Sequence, residues 1–361
     1  MNILHIISAP ASGGAEVYVK DLAKCLSEQG HTLHIAFLST AADANRNLGY
    51  EKDFLDDLKL SGVSTYVIGN ETRKKPWLGM ARLRKYVVKN NIDICHTHLA
   101  YGIMFSSVLK IPVAYTHHII TPRWGKPMYI LFNRLVDEYV GISEICATAL
   151  RGYTGREVTT ITNAVAEDKF SGYVRSRILK DIVNFAMVGR LDVQKDYINM
   201  LHALTLLDVD IRKKVKVSIA GEGDTKYKSE LLGYIEKNKL NDVVEFVGVK
   251  TNIPEFLYDA DVFLMSSSFE GLPIALIEAA VLGLPCIVTD VGGCSEIITK
   301  SNNGVAVFPH APKEIANEIT RFISDETLIE QFSINAIDNA HKYSISIAAQ
   351  EHIDLYASML E

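Results

Sequence analysis

Hydrophobic positions along the chain follow two alternating rhythms. Compact apolar runs of strand length come first: "NILHIIS", "TLHIAFLS", "VSTYVIG", "IDICHTH", "PVAYTHH", "EYVGIS" and "VTTITNAV". A second series follows with "NFAMVGRL", "KVKVSIAGEG", "VVEFVGV", "VFLMSS" and "PCIVTD". Between them the apolar spacing turns helical, predicting helices over 15–29, 78–90, 196–207, 225–239, 272–283 and, at the end, 345–360. Strands alternating with helices mean a mostly parallel sheet covered on both faces. Two such series predict an α/β protein of two doubly wound, Rossmann-like domains. The stretch 164–181, "AVAEDKFSGYVRSRILKD", breaks the rhythm with charge and Gly. The expected domains are therefore 1–165 and 181–344, joined by a linker over 166–180. The last helix has no strand after it, and 345–361 is expected to cross back to the first domain.

Length and composition agree with this picture. A chain of 361 residues exceeds an ordinary single domain, and 48% hydrophobic with 22% charged residues describes a globular protein with a large core. Five cysteines without a CxxC pair fit a reducing, cytoplasmic setting better than secretion. No apolar stretch reaches membrane-spanning length, and "MNILHIIS" reads as a first strand without a basic leader. The net charge of −6 is unevenly spread: residues 1–160 carry 18 basic against 14 acidic side chains, the remainder 19 against 29. A basic first half points to an anionic partner there.

The chemistry concentrates in "SSSFEGLPIALIEAAVLGLPCIVTDVGG", residues 266–293. Glu270 and Glu278 stand in an otherwise almost uncharged run, with seven residues between them. A carboxylate in an all-apolar helix is costly unless paired, and nothing near Glu278 in sequence can pair with it. Without a ligand, a water or a cation is expected there. Glu270 falls in the turn after "VFLMSS", at a strand's carboxyl end, where open parallel sheets bind ligands. Pro273 is expected at the first helical position. The amides of Leu272, Ile274 and Ala275 would then be helix-start donors suited to a phosphate. The two carboxylates lie at most ~12 Å apart along that helix at 1.5 Å per residue. Such an arrangement suits a nucleoside diphosphate sugar, one carboxylate for the sugar and the other for the ribose. The competing view makes Glu270 a helix-dipole partner and Glu278 the mate of a core cation. Arg190 and Lys195 in "MVGRLDVQKD" follow another strand end and add the cations a diphosphate needs. Gly221 and Gly223 in "AGEGD" mark a turn where backbone can approach a ligand closely.

At these residues the second half resembles the donor domain of family 4 glycosyltransferases, which have the two-Rossmann GT-B fold. The likeness rests on "GRLDVQK", "GEG", "VEFVGV", "SSSFEGLPIALIEAAVLGLPCIVTDVGG" and "YSISIAAQEHIDLY". In the first half it rests on "SAPASGGAEVYVKDLAKCLSEQGH", "IDICHTH" and "YTHH". The resemblance implies two domains facing across a cleft and retaining transfer of a sugar from a nucleotide donor, with a UDP-sugar favoured. It implies neither a bound metal nor a cofactor. On it, Arg190 and Lys195 bind the diphosphate, Glu278 the ribose and Glu270 the transferred sugar. Gly13, Gly14, Asn163, Val249 and Gly271 fall on the donor side. His118 aligns with the active-site histidine, and His117 is the neighbouring possibility because adjacent strand residues face opposite ways. The chain departs from the pattern at Ala164 and Ala166, where Gly and Asp are usual, and at Asp196, where Gly usually follows the lysine. The alternatives are a sugar-nucleotide epimerase, a sucrose-type synthase, or a non-catalytic nucleotide-sugar binder.

A metal site is weighed at Cys95, His96 and His98, but strand alternation puts Cys95 on the opposite face from the two histidines. The DxD-like pairs Asp208/Asp210 and Asp259/Asp261 precede strands and do not follow them. On the acceptor side, "RKKPWLGMARLRKYVVK" interleaves Trp77 with seven basic residues, and Trp124 lies between Arg123 and Lys126. Basic residues with interfacial aromatics suit the anionic cytoplasmic surface of an inner membrane carrying a lipid-linked saccharide acceptor. An ordinary charged helix face plus a core tryptophan is the plainer account. No feature supports nucleic-acid binding.

Overall fold

The computed structural model describes residues 1–44, 46–173 and 181–361. The expected linker therefore lies partly outside the described residues. The chain forms two compact units: Met1–Ala166 together with Ser344–Glu361, and Glu167–Tyr343.

The first unit holds seven parallel strands: β1 (Asn2–Ile7), β2 (Thr32–Phe37), β3 (Ser64–Val67), β4 (Ile94–Thr97), β5 (Val113–His117), β6 (Glu138–Gly141) and the two-residue β7 (Thr159–Thr160). Their order is β3-β2-β1-β4-β5-β6-β7, so the winding direction reverses between β1 and β4. β1 is buried from Ile3 through Ile7, as a strand covered on both faces must be. The helix Gly14–Glu28 and the C-terminal helix Ile345–Leu360 pack against each other within this unit. A parallel bridge of Val165 with Ser344 ties the returning chain to it.

The second unit has six parallel strands: β8 (Val183–Val188), β9 (Val215–Ala220), β10 (Val244–Gly248), β11 (Val262–Met265), β12 (Cys286–Thr289) and β13 (Gly304–Val307). The order β10-β9-β8-β11-β12-β13 reverses between β8 and β11. Its core is aliphatic and aromatic throughout, centred on Phe185, Val217, Ile219, Leu264 and Phe322. All five cysteines are buried and free, and burial pushes the Cys95 thiol up to about 12.

The first unit's interior includes a cluster of buried histidines. His5 on β1 lies directly beside His96 on β4, and His98 continues that face just past the strand. His96 bonds the Thr116 hydroxyl at 2.7 Å and the Tyr356 hydroxyl at 2.6 Å. One turn before Tyr356, His352 donates through Nδ1 to the Ala348 carbonyl. Burial holds these imidazoles neutral. His5, also beside His352, is pushed down to about 3, as is His118; His117 and His352 go to about 4, and His96 and His98 lie well below the usual value.

These histidines accept protons near pH 6.5 when unfolded but only around pH 3–4, or lower, when folded. Between those limits the unfolded chain binds more protons, so stability falls as pH drops. Each such histidine contributes about 1.4 kcal/mol per pH unit. Both tryptophans, Trp77 and Trp124, lie in the first unit. The urea midpoint read by tryptophan fluorescence should therefore fall clearly between pH 7 and pH 5. A midpoint that stays constant over that range would contradict a buried neutral cluster.

Candidate active site

In the second unit the loops that follow β8 and β11, the two strands flanking the reversal, are stitched together. The Ser268 amide donates to the Gln194 carbonyl at 2.8 Å, and the Ser266 hydroxyl to the carbonyls of Lys195 and Asp196. This closure delivers the Lys195 Nζ to the Glu270 Oε1 at 2.6 Å. The pair is nearly closed to solvent, with side-chain exposures of 16% and 7%. Ser267 Oγ donates to the same carboxylate oxygen at 2.7 Å, and Gln194 Nε2 reaches the other at 3.3 Å. A buried ion pair persists only when both charges have such partners. Arg190 stands at the same edge, half exposed, 3.1 Å from Asp192.

Asp196 explains why glycine is usual in its place. Its φ is +44°, the left-handed region that L residues avoid unless a short polar side chain compensates. Here the carboxylate caps the next helix by accepting from the Asn199 amide and also meets His310 Nδ1 at 2.7 Å.

The helix bearing Glu278 begins one residue later than expected. Pro273 is its N-cap, with extended φ −74° and ψ 119°, and its carbonyl accepts from the amides of both Leu276 and Ile277. The helix runs Ile274–Val281, so Leu272 precedes it and its amide is no helix-start donor; Leu272 is otherwise engaged. Ile274 and Ala275 remain as first-turn amides with no intrahelical acceptor. Glu278 is buried, but the expectation that only a water or cation could meet it without a ligand does not hold, because it is engaged within the protein.

Gly221 and Gly223 answer to the protein's own backbone. A Cβ at Gly221, whose φ is +144°, would lie 2.0 Å from the Gly189 carbonyl oxygen; at Gly223 it would lie 2.2 Å from that of Leu191. Gly271 accepts from the Gly293 amide at 2.7 Å, closing the β11 loop onto the β12 loop. Val249 is exposed just after the edge strand β10. Asp261 lies at the amino end of β11, where its carboxylate accepts from the Asn184 amide, and Asp259 caps the preceding helix. Asp210 is exposed beside Lys213.

In the first unit, Gly13 is the N-cap of the helix that Gly14 opens, after β1, and Asn163 is buried beyond β7. Adjacent His117 and His118 do face different surroundings. His117 is bonded to the Tyr115 hydroxyl at 2.8 Å and lies against Tyr129. His118, half-buried, bonds His98 at 2.9 Å. Cys95 points away from this cluster into the aliphatic core, as alternation requires. His5, His96 and His98 each bring a ring nitrogen within 4.8 Å of the others. Most of those nitrogens are already hydrogen-bonded, to one another, to His118, to Thr116 or to Tyr356.

The two tryptophans part ways. Trp77 is 62% exposed on the helix Pro76–Lys89, whereas Trp124 packs on Phe132 and Tyr101 as a half-buried aromatic. Arg123 beside it is exposed. Sequence reasoning missed Gln194, Ser267 and His310. Gln194 adjoins Lys195 and Ser267 lies three positions before Glu270, and both carry side chains able to bond a carboxylate. His310 has no local signal, since only the fold brings it to Asp196.

Both halves of the chain resemble known proteins. The model of the family "Glycosyltransferase Family 4" matches residues 12–169, and that of "Glycosyl transferases group 1" matches residues 176–339. An uncharacterized glycosyltransferase of Methanocaldococcus jannaschii is 34% identical, with 97% of this chain and 95% of that one covered. The UDP-Gal:alpha-D-GlcNAc-diphosphoundecaprenol alpha-1,3-galactosyltransferase of Escherichia coli is 24% identical, with 85% and 86% covered. Among solved structures, Anabaena HepE in complex with UDP and glucose has a TM-score of 0.82 at 19% identity, covering 99% of this chain and all of that one, a likeness of fold. With both halves matched and a relative at 34% identity spanning nearly its whole length, the chain belongs to the family 4, group 1 glycosyltransferases of the GT-B fold.

Proposed function

We propose that the chain is a retaining, metal-independent hexosyl- or N-acetylhexosaminyltransferase. Its donor is a nucleoside diphosphate sugar, with UDP favoured, and its acceptor a lipid-linked saccharide in bacterial surface-polysaccharide assembly. The observation that carries this reading is the Lys195–Glu270 pair, held at the strand reversal beside Arg190 and the helix-start amides of Ile274 and Ala275. In it, Lys195 and Arg190 take the diphosphate, and Glu270 binds the transferred sugar once Lys195 turns toward phosphate. Glu278 holds the ribose, and His118 contacts the sugar. Departure of the nucleoside diphosphate builds negative charge that cations and oriented amides stabilise without a metal. The acidic pairs stand away from this edge, which supports metal independence. No cofactor is needed for such a transfer. The E. coli relative's name, with its UDP-sugar donor and diphosphoundecaprenol acceptor, supports the choice of substrates.

The helix Pro76–Lys89 supports a bilayer acceptor. Trp77, Met80, Val88, Arg84, Lys85 and Lys89 line an open groove of about 840 Å³, with Val88 70% exposed. Among the described residues no helix is long and apolar enough to cross a membrane. We therefore propose a peripheral association with the anionic cytoplasmic face of the inner membrane.

Among UDP-, GDP- and ADP-sugars, a UDP-sugar should raise the melting temperature most, transfer should survive EDTA, and product NMR should show the donor's anomeric configuration retained. Stabilisation by none of the three, inversion, or loss of transfer restored by Mn²⁺ would each overturn its part of the reading.

Replacing Lys195 with Ala should weaken UDP binding by about 1.5–3 kcal/mol, the scale of charge-assisted hydrogen bonds. It should also destabilise the second unit by about 3–5 kcal/mol, because Glu270 keeps a buried, unpaired charge. Adding Glu270→Gln should recover most of the stability without the binding. Calorimetry showing unchanged UDP affinity in Lys195→Ala would remove this lysine from the site.

The protein should bind phosphatidylglycerol-containing vesicles and not phosphatidylcholine vesicles. Trp77→Ser should weaken that binding, and Arg84→Ser or Lys85→Ser should each weaken it about fivefold. Equal sedimentation with both kinds of vesicle would count against the surface.

A further inference from the structure

Three imidazoles in the first unit are joined end to end. His5 Nδ1 lies 2.9 Å from His98 Nε2, and His98 Nδ1 lies 2.9 Å from His118 Nε2. At both junctions an Nδ1 meets an Nε2. Burial keeps all three rings neutral, so each carries one proton shared between its two nitrogens. Each junction needs one N–H and one lone pair. A proton on the Nδ1 of one ring therefore requires a proton on the Nδ1 of the next. The three rings must all be Nδ1–H or all Nε2–H, because a mixed chain would oppose two N–H groups or two lone pairs.

The ends choose between the two states. The terminal atoms, His5 Nε2 and His118 Nδ1, are enclosed and without a protein partner. In the Nε2–H state a donor would be stranded at His5, which has no exposed surface. In the Nδ1–H state His5 holds a bare lone pair, and the unpartnered donor is His118 Nδ1, enclosed as well but on a half-buried residue that a ligand oxygen can approach. Either state orphans one enclosed N–H, a costly defect, and only the one at His118 lies where a bound ligand can relieve it. We propose that His5 and His98 are positioning residues that lock His118 as the Nδ1–H tautomer. His118 then presents a fixed hydrogen-bond donor to an oxygen of the substrate, and neither a base nor a proton-bearing cation. The proposal deepens the reading of His118 as the sugar-contacting histidine and rests on it. Neither His5 nor His98 touches substrate on this account.

The direct test is long-range ¹H–¹⁵N correlation of the full chain labelled at histidine, at pH 7.5. His5, His98 and His118 should all show a protonated Nδ1 and an unprotonated Nε2. Nε2–H in all three would overturn the choice of state, and different tautomers among them would overturn the lock itself. His98→Asn keeps an amide near the Nδ1 position, but that amide can donate or accept. His118 should then populate both tautomers, and kcat should fall about five- to tenfold, the worth of one hydrogen bond, with donor KM within about twofold. His5→Asn, which leaves the His98–His118 contact in place, should shift the His118 spectrum in the same direction. It also guards against a His98 variant that does not fold. An unchanged His118 spectrum in both folded variants would sink the proposal. His118→Ala separates the two ideas: full activity there would overturn the role of His118 whatever the tautomers, and mixed tautomers in the native chain would overturn the lock whatever that activity.

Discussion

A parallel sheet covered on both faces has only its strand ends open to chemistry. Its faces must be apolar, and its backbone groups are spent on neighbouring strands. Where the strand order reverses, the loops on either side diverge and leave a crevice at the carboxyl ends. Both units obey this rule, at β1/β4 and at β8/β11. The Lys195–Glu270 pair lies at the second of these reversals, in two loops that hydrogen bonds draw together. An isolated charge so buried would be prohibitively costly. The mutual attraction, Ser267 and Gln194 make it tolerable, and they also fix where each charge stands before anything binds.

The first unit departs from the rule in a controlled way. It places a row of histidines between the sheet and its covering helices, where an aliphatic layer would be more stable. The cost is limited because most ring nitrogens of His5, His96 and His98 pair with one another, with His118 or with the hydroxyls of Thr116 and Tyr356. A half-satisfied polar network is worse than an apolar core, so the network specifies its geometry strongly. The C-terminal helix contributes Tyr356 and His352 to this layer, which gives a polar reason for the chain's last segment to sit against this sheet.

Much of this was legible in the sequence because it follows from periodicity. Strands β1, β2, β4 and β5 show plainly, since four or five consecutive buried residues leave an unmistakable run, and the final helix shows by its helical spacing. β13 has little apolar signal, since Gly304–Val307 is four residues long and only Val307 among them is buried. The helices Pro312–Ser324 and Glu326–Asn339 are additions to the expected elements, although the first has a clear apolar face. Glu270, Glu278, Arg190 and Lys195 stood out because charge in an apolar run is conspicuous. What sequence could not supply was pairing across distance. Lys195 meets Glu270 from 75 positions away, and Glu278 is engaged although its sequence neighbours are apolar. Trp124 looked interfacial between two cations, but aromatic neighbours from other elements claim it.

The histidines show the same limit more sharply. Alternation along "IDICHTH" correctly separated Cys95 from His96 and His98. It said nothing of His5, which reads as a polar interruption of an apolar strand until the register of β1 on β4 sets it beside His96. Nor could it give the Nδ1-to-Nε2 sense of the contacts, which depends on ring orientation and decides whether the chain of rings has one protonation pattern or several. Residue identity supplies the donors and acceptors, topology brings them within reach, and ring orientation restricts them to a common tautomer. Of these three levels only the first is written locally. A short motif can therefore mark where a site lies while leaving open whether its central group gives or accepts a hydrogen bond.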